Sequence, residues 1–492
     1  LGVHYIEGGW PGSNPKDILF FDLARKEKFK KARICAFGST ARAGVSPSRD
    51  ANIQKLLRAE VPVVTIFGKS WDLHAREALR ITLDENLDLI EKSVAYLSRR
   101  VDEVFFDAEH FFDGYKANPE YALQTVAAAI RGGARAVVLC DTNGGAMPWE
   151  IEEGVRKVRE SFAGVEVGIH CHNDGDLAVA NSITAVKAGA THVQGTMNGY
   201  GERCGNANLS SIIPNLALKL KVNALPKGKV ALLREISRFI DELANIPHAK
   251  NQPFVGDSAF AHKGGVHVSA VMRNPLTYEH IDPALVGNRQ RILLSDLSGK
   301  ASVLSKIRAM GIKIDETDPR AVEVLEELKR LESEGFLYEG AEASFEMLLK
   351  KRLGLHRTFF DLIGFRVIDE KRAGDKNPLS EAAIMVKVGE EVEHTAAIGN
   401  GPVNALDCAL RKALEKFYPA IMDVRLTDFK VRVLSSGGGT DARVRVLIES
   451  YDGKNSWGTV GVHENIIQAS YMALVDSIEY KLLRDEKSFK AN

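Results

Sequence analysis

The chain has 492 residues, of which 45% are hydrophobic and 26% are charged; this composition is typical of a globular protein, and the length predicts about three domains. Lys plus Arg and Asp plus Glu number 65 each, so no net field attracts nucleic acid or an anionic membrane. No apolar run reaches the ~20 residues of a membrane helix, and the start has no signal-peptide pattern. The five cysteines have no CxxC spacing, which favours a reducing compartment, by default the cytoplasm, over a disulfide framework.

From residue 3 to about residue 206, short β-rich runs alternate with amphipathic helical segments. Strands are predicted at 3–9, 33–38, 61–68, 101–109, 136–141, 166–172 and 192–198, and helices at 50–60, 82–100 and 148–162. This alternation predicts parallel strands with crossover helices. Seven strands with polar C-terminal ends predict an α/β fold, a TIM barrel lacking its first strand. An open doubly wound sheet is the alternative, although no GxGxxG follows the first strand.

The alternation stops after residue 214. Further helices are predicted at 230–244, 301–309, 319–334 and 341–353. We therefore divide the chain into a catalytic barrel, helical linker subdomains and an α+β C-terminal regulatory domain, with bounds 1–225, 226–355 and 356–492.

The C-terminal region contains an internal repeat, because a strand, turn, strand and helix are predicted twice, in 382–414 and 443–480. The junction of two such copies is a natural site for a small ligand; alternatively, each copy only buries the sheet of the other. The glycine-rich segment 435–440 lacks the ending of a phosphate loop and is interpreted as a flexible hairpin tip.

Two histidines stand at the end of the predicted strand 166–172. Side chains alternate along a strand, so Val167, Ile169 and Cys171 share one face while His170 and His172 share the other. The apolar face is expected to pack under helices, which directs both imidazoles into the barrel. Such a pair is a common way to hold a divalent metal. Hydrogen-bonded structural histidines are the alternative.

Three other polar residues are expected near the same end of the barrel. Glu109 ends its strand on the inner face, where a carboxylate can accept a proton or orient a base; a salt bridge with Lys or Arg is the alternative. Thr142 offers a hydroxyl to a substrate carboxylate, or else caps the next helix. Asn206 offers an amide oxygen to a cation, or else is a turn residue.

Four motifs, taken together, resemble one enzyme family. HCHND at 170–174, GERCGN at 201–206, FAHKGGVH at 260–267 and LSGK at 297–300 are similar to motifs of the 2-isopropylmalate, homocitrate and citramalate synthases, in the same order. The resemblance covers essentially the whole chain, and segments 8–17 and 141–145 are most similar to the citramalate synthase branch. It implies a metal-dependent acyltransferase that condenses acetyl-CoA with a 2-oxo acid and then hydrolyses the thioester. The 2-oxo acid would be pyruvate, for isoleucine synthesis; 2-oxoisovalerate, for 2-isopropylmalate, is the alternative.

The resemblance also implies roles for individual residues. His170 and His172 would be metal ligands, with Asn206 a ligand or close neighbour, and the metal would be manganese, magnesium or zinc.

By the same resemblance, Glu109 and His267 would form or orient the base that deprotonates the acetyl methyl group. Tyr278 would reach the site, and Thr142 would hold the substrate carboxylate. In the family, the residues matching His267 and Tyr278 act from the partner chain of a homodimer. A structural histidine in a glycine-rich loop is the alternative for His267.

One departure from the family pattern concerns the start of the chain. The family's first strand ends in Arg-Asp-Gly, which supplies a metal ligand and an oxyanion stabiliser, and no such segment occurs here. We therefore expect the chain as written to fold poorly and to have little activity, and the gene to extend upstream by about one β/α unit. A non-catalytic protein whose C-terminal repeat binds a branched-chain amino acid is the alternative function. For the enzyme, the logic of the pathway makes isoleucine the expected effector.

Overall fold

A computed structural model describes residues 1–292, 304, 307–308, 318–374, 376–434 and 442–490. The motif at 297–300, the segment at 435–440 and most of the predicted helix 301–309 lie outside the described residues. The chain forms two compact units, Leu1–Phe260 with Ile281–Gln290, and Ala261–His280 with Arg291–Asn492. The division into three domains at residues 225 and 355 stays a prediction.

The first unit is built on a seven-stranded sheet whose strands are all parallel and follow one another in chain order. The strands are β1 Tyr5–Glu7, β2 Arg33–Ser39, β3 Val63–Lys69, β4 Glu103–Glu109, β5 Ala136–Asp141, β6 Glu166–Cys171 and β7 His192–Gln194. The strand order never reverses, which excludes the doubly wound alternative.

Side chains from β1, β4 and β7 meet inside the sheet. The Tyr5 hydroxyl donates to the Glu103 carboxylate at 2.9 Å, and the ring of His192 lies 5.7 Å from that of Tyr5 and 4.9 Å from that of Phe105. Strands three places apart in a flat sheet would be separated by about 14 Å. The sheet is therefore curled, and the predicted α/β barrel is confirmed.

The two faces of the strands bury different residues. Cys35, Val63, Phe105 and Ala136 form a small core inside the curled sheet. The residues that alternate with them along the strands point outward into the main core between strands and helices. They include Val64, Ile66, Phe106, Leu139, Val167, Ile169 and Cys171. The predicted apolar outer face of the histidine strand is thus confirmed.

Helices cover the outer face of the sheet. Several start where the sequence supplies a cap: Thr82 and Glu85 form a capping box, and Asp50 accepts from the backbone N–H of Ile53. The α-helices of this unit are Pro15–Ala24, Ala51–Arg58, Leu83–Ser98, Phe111–Ala117, Pro119–Arg131, Pro148–Ser161, Ala178–Ala188, Leu209–Pro214 and Leu233–Leu243.

The last strand is shorter than predicted. It ends at Gln194 because the chain turns at Gly195, where an added Cβ would stand 2.4 Å from the carbonyl oxygen of Ala207. Asn198 has a φ of +61° and lies outside the strand. The predicted strand at 192–198 is therefore wrong for residues 195–198.

The second unit contains two antiparallel three-stranded sheets besides the short parallel pair β8 Ala261–His262 and β9 Arg291–Ile292. Its long strands are β10 Asp361–Glu370, β11 Leu379–Val388, β12 Glu391–Gly399, β13 Arg425–Val433, β14 Val444–Tyr451 and β15 Ser456–His463. Its α-helices of known bounds are Gly265–Arg273, Pro319–Ser333, Glu342–Arg352, Pro402–Leu414 and Ile466–Lys490.

The predicted internal repeat is confirmed, and the two copies share an equivalent hydrogen bond between a strand and a helix. The Thr395 hydroxyl on β12 donates to the carbonyl of Ala409 at 2.8 Å, and the Thr459 hydroxyl on β15 donates to the carbonyl of Ala473 at 2.8 Å. Each copy also has an extra strand, β10 or β13, which the sequence did not indicate. Both strands expose most of their residues.

Candidate functional site

His170 and His172 converge at the C-terminal end of β6. Their Nε2 atoms are 3.3 Å apart. Desolvation lowers the pKa of His170 to about 4, helped by His172. Desolvation and the positive charge of Arg203 lower the pKa of His172 as well. Both imidazoles are therefore neutral near pH 7, which is the form that binds a metal.

A polar side chain from the neighbouring strand contacts the far side of the first imidazole. Nδ1 of His170 lies 2.8 Å from Oε1 of Gln194 on β7, and Nε2 of Gln194 donates to Oδ1 of Asp107 at 3.0 Å. Asp107 is 4% exposed, and burial together with the charge of Glu7 raises its pKa well above the usual value. Neither Gln194 nor Asp107 was predicted to have this role, although both stand at inward-facing positions.

Asn206 lies beside the second imidazole. An isolated antiparallel bridge joins the backbones of His172 and Asn206. The Asn206 side-chain oxygen is buried and has no hydrogen-bond partner among the described residues, whereas its amide nitrogen donates to the carbonyl of Tyr200 at 3.4 Å. The Asn206 side-chain oxygen is therefore a hydrogen-bond acceptor that no described residue uses, and it lies on the residue bridged to His172.

The loop that carries Asn206 is tightly folded. Its path needs glycine at 201 and 205: Gly201 has a φ of +157° and passes against the Asn206 side chain, and Gly205 has a φ of +99° and passes against the carbonyl of Gly199. The Arg203 guanidinium forms two hydrogen bonds, 2.7 and 2.9 Å long, with Asp174. It also donates to the carbonyl of Thr142 at 2.7 Å. The loop is thereby fixed to the ends of β5 and β6.

Glu109 ends β4 and forms an ion pair with Lys69, its register partner at the end of β3, with Oε2 and Nζ 2.5 Å apart. The salt bridge weighed as the alternative to an acid–base role is thus present. The two roles are compatible, because both side chains remain 20% exposed at the barrel mouth. Lys69 was missed, although it stands at an inward-facing position directly after Gly68.

Thr142 follows β5 and is half-buried. Its hydroxyl oxygen accepts from the backbone N–H of His110 at 2.9 Å, which leaves its own proton for another acceptor. The next helix begins at Pro148 after Met147, so Thr142 does not cap it. A hydroxyl donor therefore faces the mouth close to the end of β4.

Aromatic side chains cluster at the ends of β1 to β3. The Phe37 and Phe67 rings stack with centroids 5.5 Å apart, and Trp10 meets both edge-on at 6.1 and 5.7 Å. The indole N–H of Trp10 donates to Asn52 at 2.6 Å, which fixes the ring. The three rings thus form one apolar wall in which each ring is held by the other two. It was not predicted, because Trp10 follows its strand rather than belonging to it.

Taken together, the donors fit a divalent metal. The described residues contain no cluster of three His, Cys, Asp or Glu side chains. They do contain two neutral imidazoles in contact and, on the adjoining backbone, a buried amide oxygen without a partner. Imidazole and amide oxygen donors are compatible with manganese, magnesium or zinc.

His267 and Tyr278 belong to the second unit. Their rings stack with centroids 4.1 Å apart and an interplanar angle of 26°. Tyr278 is 45% exposed, and the neighbouring Val266 and Leu276 are 77% and 78% exposed. The pair is thus preformed beside an apolar surface.

Three protein-family models match successive segments of the chain, in the order barrel, linker and C-terminal domain that the sequence predicted. Residues 1–240 match the HMGL-like family, residues 254–335 the homocitrate synthase post-HMGL domain-like family, and residues 339–482 the LeuA allosteric (dimerisation) domain. With a curled parallel sheet and a histidine pair at its mouth, this order defines an acyltransferase of the 2-isopropylmalate and homocitrate synthase class.

Individual relatives narrow the class. The chain is 60% identical to an (R)-citramalate synthase of Geobacter sulfurreducens and 56% identical to one of Aquifex aeolicus, in each case over 99% of this chain and 92% of the relative. A 2-isopropylmalate synthase of Methanocaldococcus jannaschii is 29% identical over 99% of this chain and 89% of the relative. The chain belongs to the (R)-citramalate synthase family.

Among solved structures, a hydroxymethylglutaryl-CoA lyase from Pseudomonas aeruginosa matches 50% of this chain and 82% of its own, with 15% identity and a TM-score of 0.42. In the part of the chain that the structure describes, no helix has the length and apolar character needed to span a membrane.

Proposed function

We propose that the protein condenses acetyl-CoA with pyruvate and hydrolyses the thioester to give (R)-citramalate, for isoleucine synthesis in the cytoplasm. The observation that carries this proposal is the pair of neutral imidazoles, His170 and His172, at the barrel mouth of a chain that is 60% identical to an (R)-citramalate synthase. An imidazole pair of this kind suits a 2-oxo acid substrate, whose keto and carboxylate oxygens can share one cation.

His170, His172 and Asn206 would hold the divalent ion, which is manganese, magnesium or zinc. When bound, the ion supplies Lewis-acid polarisation of the keto group. The two imidazoles keep this role near neutral pH because burial disfavours their protonation. The Asn206 amide is held by its loop, so its oxygen does not have to be ordered at the moment of binding.

Thr142 and Glu109 act on the two substrates. The Thr142 hydroxyl, whose oxygen already accepts a hydrogen bond from the backbone N–H of His110, donates a hydrogen bond to the pyruvate carboxylate. Glu109 takes up or directs the proton that leaves the acetyl methyl group. Lys69 positions that carboxylate through the 2.5 Å ion pair, and a general base must be positioned in this way.

His267 and Tyr278 complete the site from the partner chain of a homodimer. Their rings are already stacked, and the side chains beside them, Val266 and Leu276, are apolar and largely exposed. A second copy of the chain that buries this surface would gain hydrophobic stabilisation. In this arrangement His267 works with Glu109 in deprotonating the methyl group.

Pyruvate is the preferred 2-oxo acid because of the aromatic wall. Trp10, Phe37 and Phe67 brace one another. We place the side chain of the 2-oxo acid against this wall, where the branched chain of 2-oxoisovalerate would have to displace an aromatic ring. One or two methyl groups are worth about 1–3 kcal/mol of discrimination in such a pocket. Isoleucine, as the end product, is the proposed effector at the C-terminal repeat.

A panel of 2-oxo acids tests the proposal, with CoA release followed by a free-thiol reagent. We expect kcat/KM to be highest for pyruvate and at least about tenfold lower for 2-oxoisovalerate. A preference for 2-oxoisovalerate would instead identify a 2-isopropylmalate synthase. CoA release with none of the acids, from a folded and metal-loaded protein that also carries an upstream Arg-Asp-Gly segment, would favour the non-catalytic alternative.

A further inference from the structure

The hydrogen bonds behind His170 form a chain of three side chains that the proposed reaction does not use. Asp107 on β4 accepts from Gln194 on β7 at 3.0 Å, and Gln194 contacts Nδ1 of His170 on β6 at 2.8 Å. β6 and β7 are neighbours, but Asp107 and Gln194 reach each other only because the sheet is curled, since β4 and β7 are three places apart in it. This series of hydrogen bonds therefore crosses the inside of the barrel.

The direction of each hydrogen bond follows from the one before it. The Gln194 amide turns its nitrogen towards Asp107 and donates through Nε2 to Oδ1 of that side chain. The amide oxygen then faces His170, and because an amide oxygen can only accept, Nδ1 of His170 must carry the proton. In a neutral imidazole the other nitrogen, Nε2, is then left with its lone pair. Nε2 is the atom that faces His172.

We propose that Gln194 and Asp107 are positioning residues that select the Nδ1–H tautomer of His170 and so direct its Nε2 lone pair to the cation. This inference rests on the metal site of the proposed function. Without Gln194, the imidazole is free to carry its proton on Nε2, where a bound cation would have to displace it. Removing an outer-shell partner of a metal-bound histidine typically lowers metal affinity 10–100-fold.

Substitutions at position 194 separate positioning from packing. Gln194→Met keeps the length of the side chain but cannot accept from His170, so Mn²⁺ affinity should fall about 10–100-fold. Gln194→Glu keeps an acceptor opposite His170, provided that the two carboxyl groups share one proton, and should retain the wild-type affinity. Asp107→Asn should give an intermediate loss, because an amide at this position no longer dictates which end of Gln194 faces His170.

Thr65 offers a matched control. It is buried inside the same curled sheet, its hydroxyl lies 3.1 Å from the Cys35 sulfur, and no hydrogen bond in the described part of the chain joins it to His170. Thr65→Val should therefore keep the wild-type Mn²⁺ affinity. The affinities are measured on the full 492-residue chain by electron paramagnetic resonance of free Mn²⁺. Equal affinity of wild type and the Gln194→Met variant would overturn the proposal.

A second measurement needs no variant at position 194 or 107. In the metal-free wild type, the ¹⁵N spectrum of labelled histidine should show His170 protonated at Nδ1, with the signals assigned by comparison with His170→Asn. Protonation at Nε2 would overturn the proposal even if Gln194→Met failed to fold. Wild-type protein that shows the Nδ1–H tautomer but binds no Mn²⁺ would refute the metal site of the proposed function and leave the tautomer selection standing.

Discussion

His170 and His172 bring their Nε2 atoms to 3.3 Å from each other at the end of one strand, close enough for both nitrogens to ligate one cation. Their lowered pKa values keep protons from competing with the cation near neutral pH. We therefore expect chelation of divalent ions to abolish CoA release, and added Mn²⁺ to restore it. His170→Gln and His172→Gln should each prevent the restoration, whereas His394→Gln, at an exposed position on β12, should not. Undiminished CoA release after complete removal of divalent ions would refute the role assigned to the pair.

Glu109 and Lys69 form an ion pair, but only Glu109 is assigned a proton-transfer role. Glu109→Gln removes the charge that would accept the methyl proton, so kcat should fall about 10²–10⁴-fold while Mn²⁺ affinity is unchanged. Lys69→Met leaves the carboxylate in place without its partner and should lower kcat less. Lys92→Met, which breaks an exposed pair with Asp88, should change neither quantity. A larger loss for Lys69→Met than for Glu109→Gln would show that the ammonium group, rather than the carboxylate, acts on the substrate.

The barrel strands could be predicted because their signals are local. Alternation of apolar and polar residues from Val167 to His172 is sufficient to assign both faces of a strand, and the structure buries the faces as predicted. The ends of the strands depend instead on contacts with distant residues. β7 stops at Gln194 because Gly195 meets the backbone of Ala207, a contact that no local pattern indicates.

The same distinction applies to the candidate site. The motif residues His170, His172 and Asn206 could be named from the sequence because they lie in short, distinctive segments. The partners that set their chemistry could not, because Gln194 reaches Asp107 across 87 positions of sequence. Only the curvature of the sheet brings such residues together, and curvature has no signature in a single segment. Lys69 was the exception that could have been found, since parallel register places it opposite Glu109.

Gly205 shapes the loop that presents Asn206, and its substitution separates steric fit from backbone conformation. Gly205 and Gly164 both have positive φ, at +99° and +84°, but an added Cβ would stand 2.1 Å from the Gly199 carbonyl oxygen at position 205 and would meet nothing within 4 Å at position 164. Gly164→Ala should therefore lower the free energy of unfolding by about 1–2 kcal/mol.

Gly205→Ala should lower the same free energy further, and should also weaken Mn²⁺ binding because the loop must shift. Urea unfolding and a Mn²⁺ titration of the two variants provide the measurements. Equal destabilisation by the two substitutions, with no change in Mn²⁺ affinity, would mean that the loop accommodates a side chain at 205 and does not fix Asn206.

His192 makes the stability of the barrel dependent on pH. Its ring packs against Tyr5 and Phe105, and desolvation lowers its pKa from 6.5 to about 4. A histidine that is harder to protonate in the folded state than in the unfolded state stabilises the fold fully above pH 6.5, and this stabilisation is lost as the pH falls from 6.5 towards 4. The loss amounts to at most about 3 kcal/mol, and less where water reaches the ring.

His192→Phe should remove this part of the acid sensitivity, because a phenyl ring fits the aromatic neighbours and does not titrate. We expect the free energy of unfolding in urea, measured with a chelator present, to fall less between pH 7.5 and pH 4.5 for this variant than for the wild type. His394→Phe, at the exposed position on β12, should fall as the wild type does. If the wild type and His192→Phe lose the same stability over this interval, proton uptake by His192 does not contribute to the acid sensitivity of the fold.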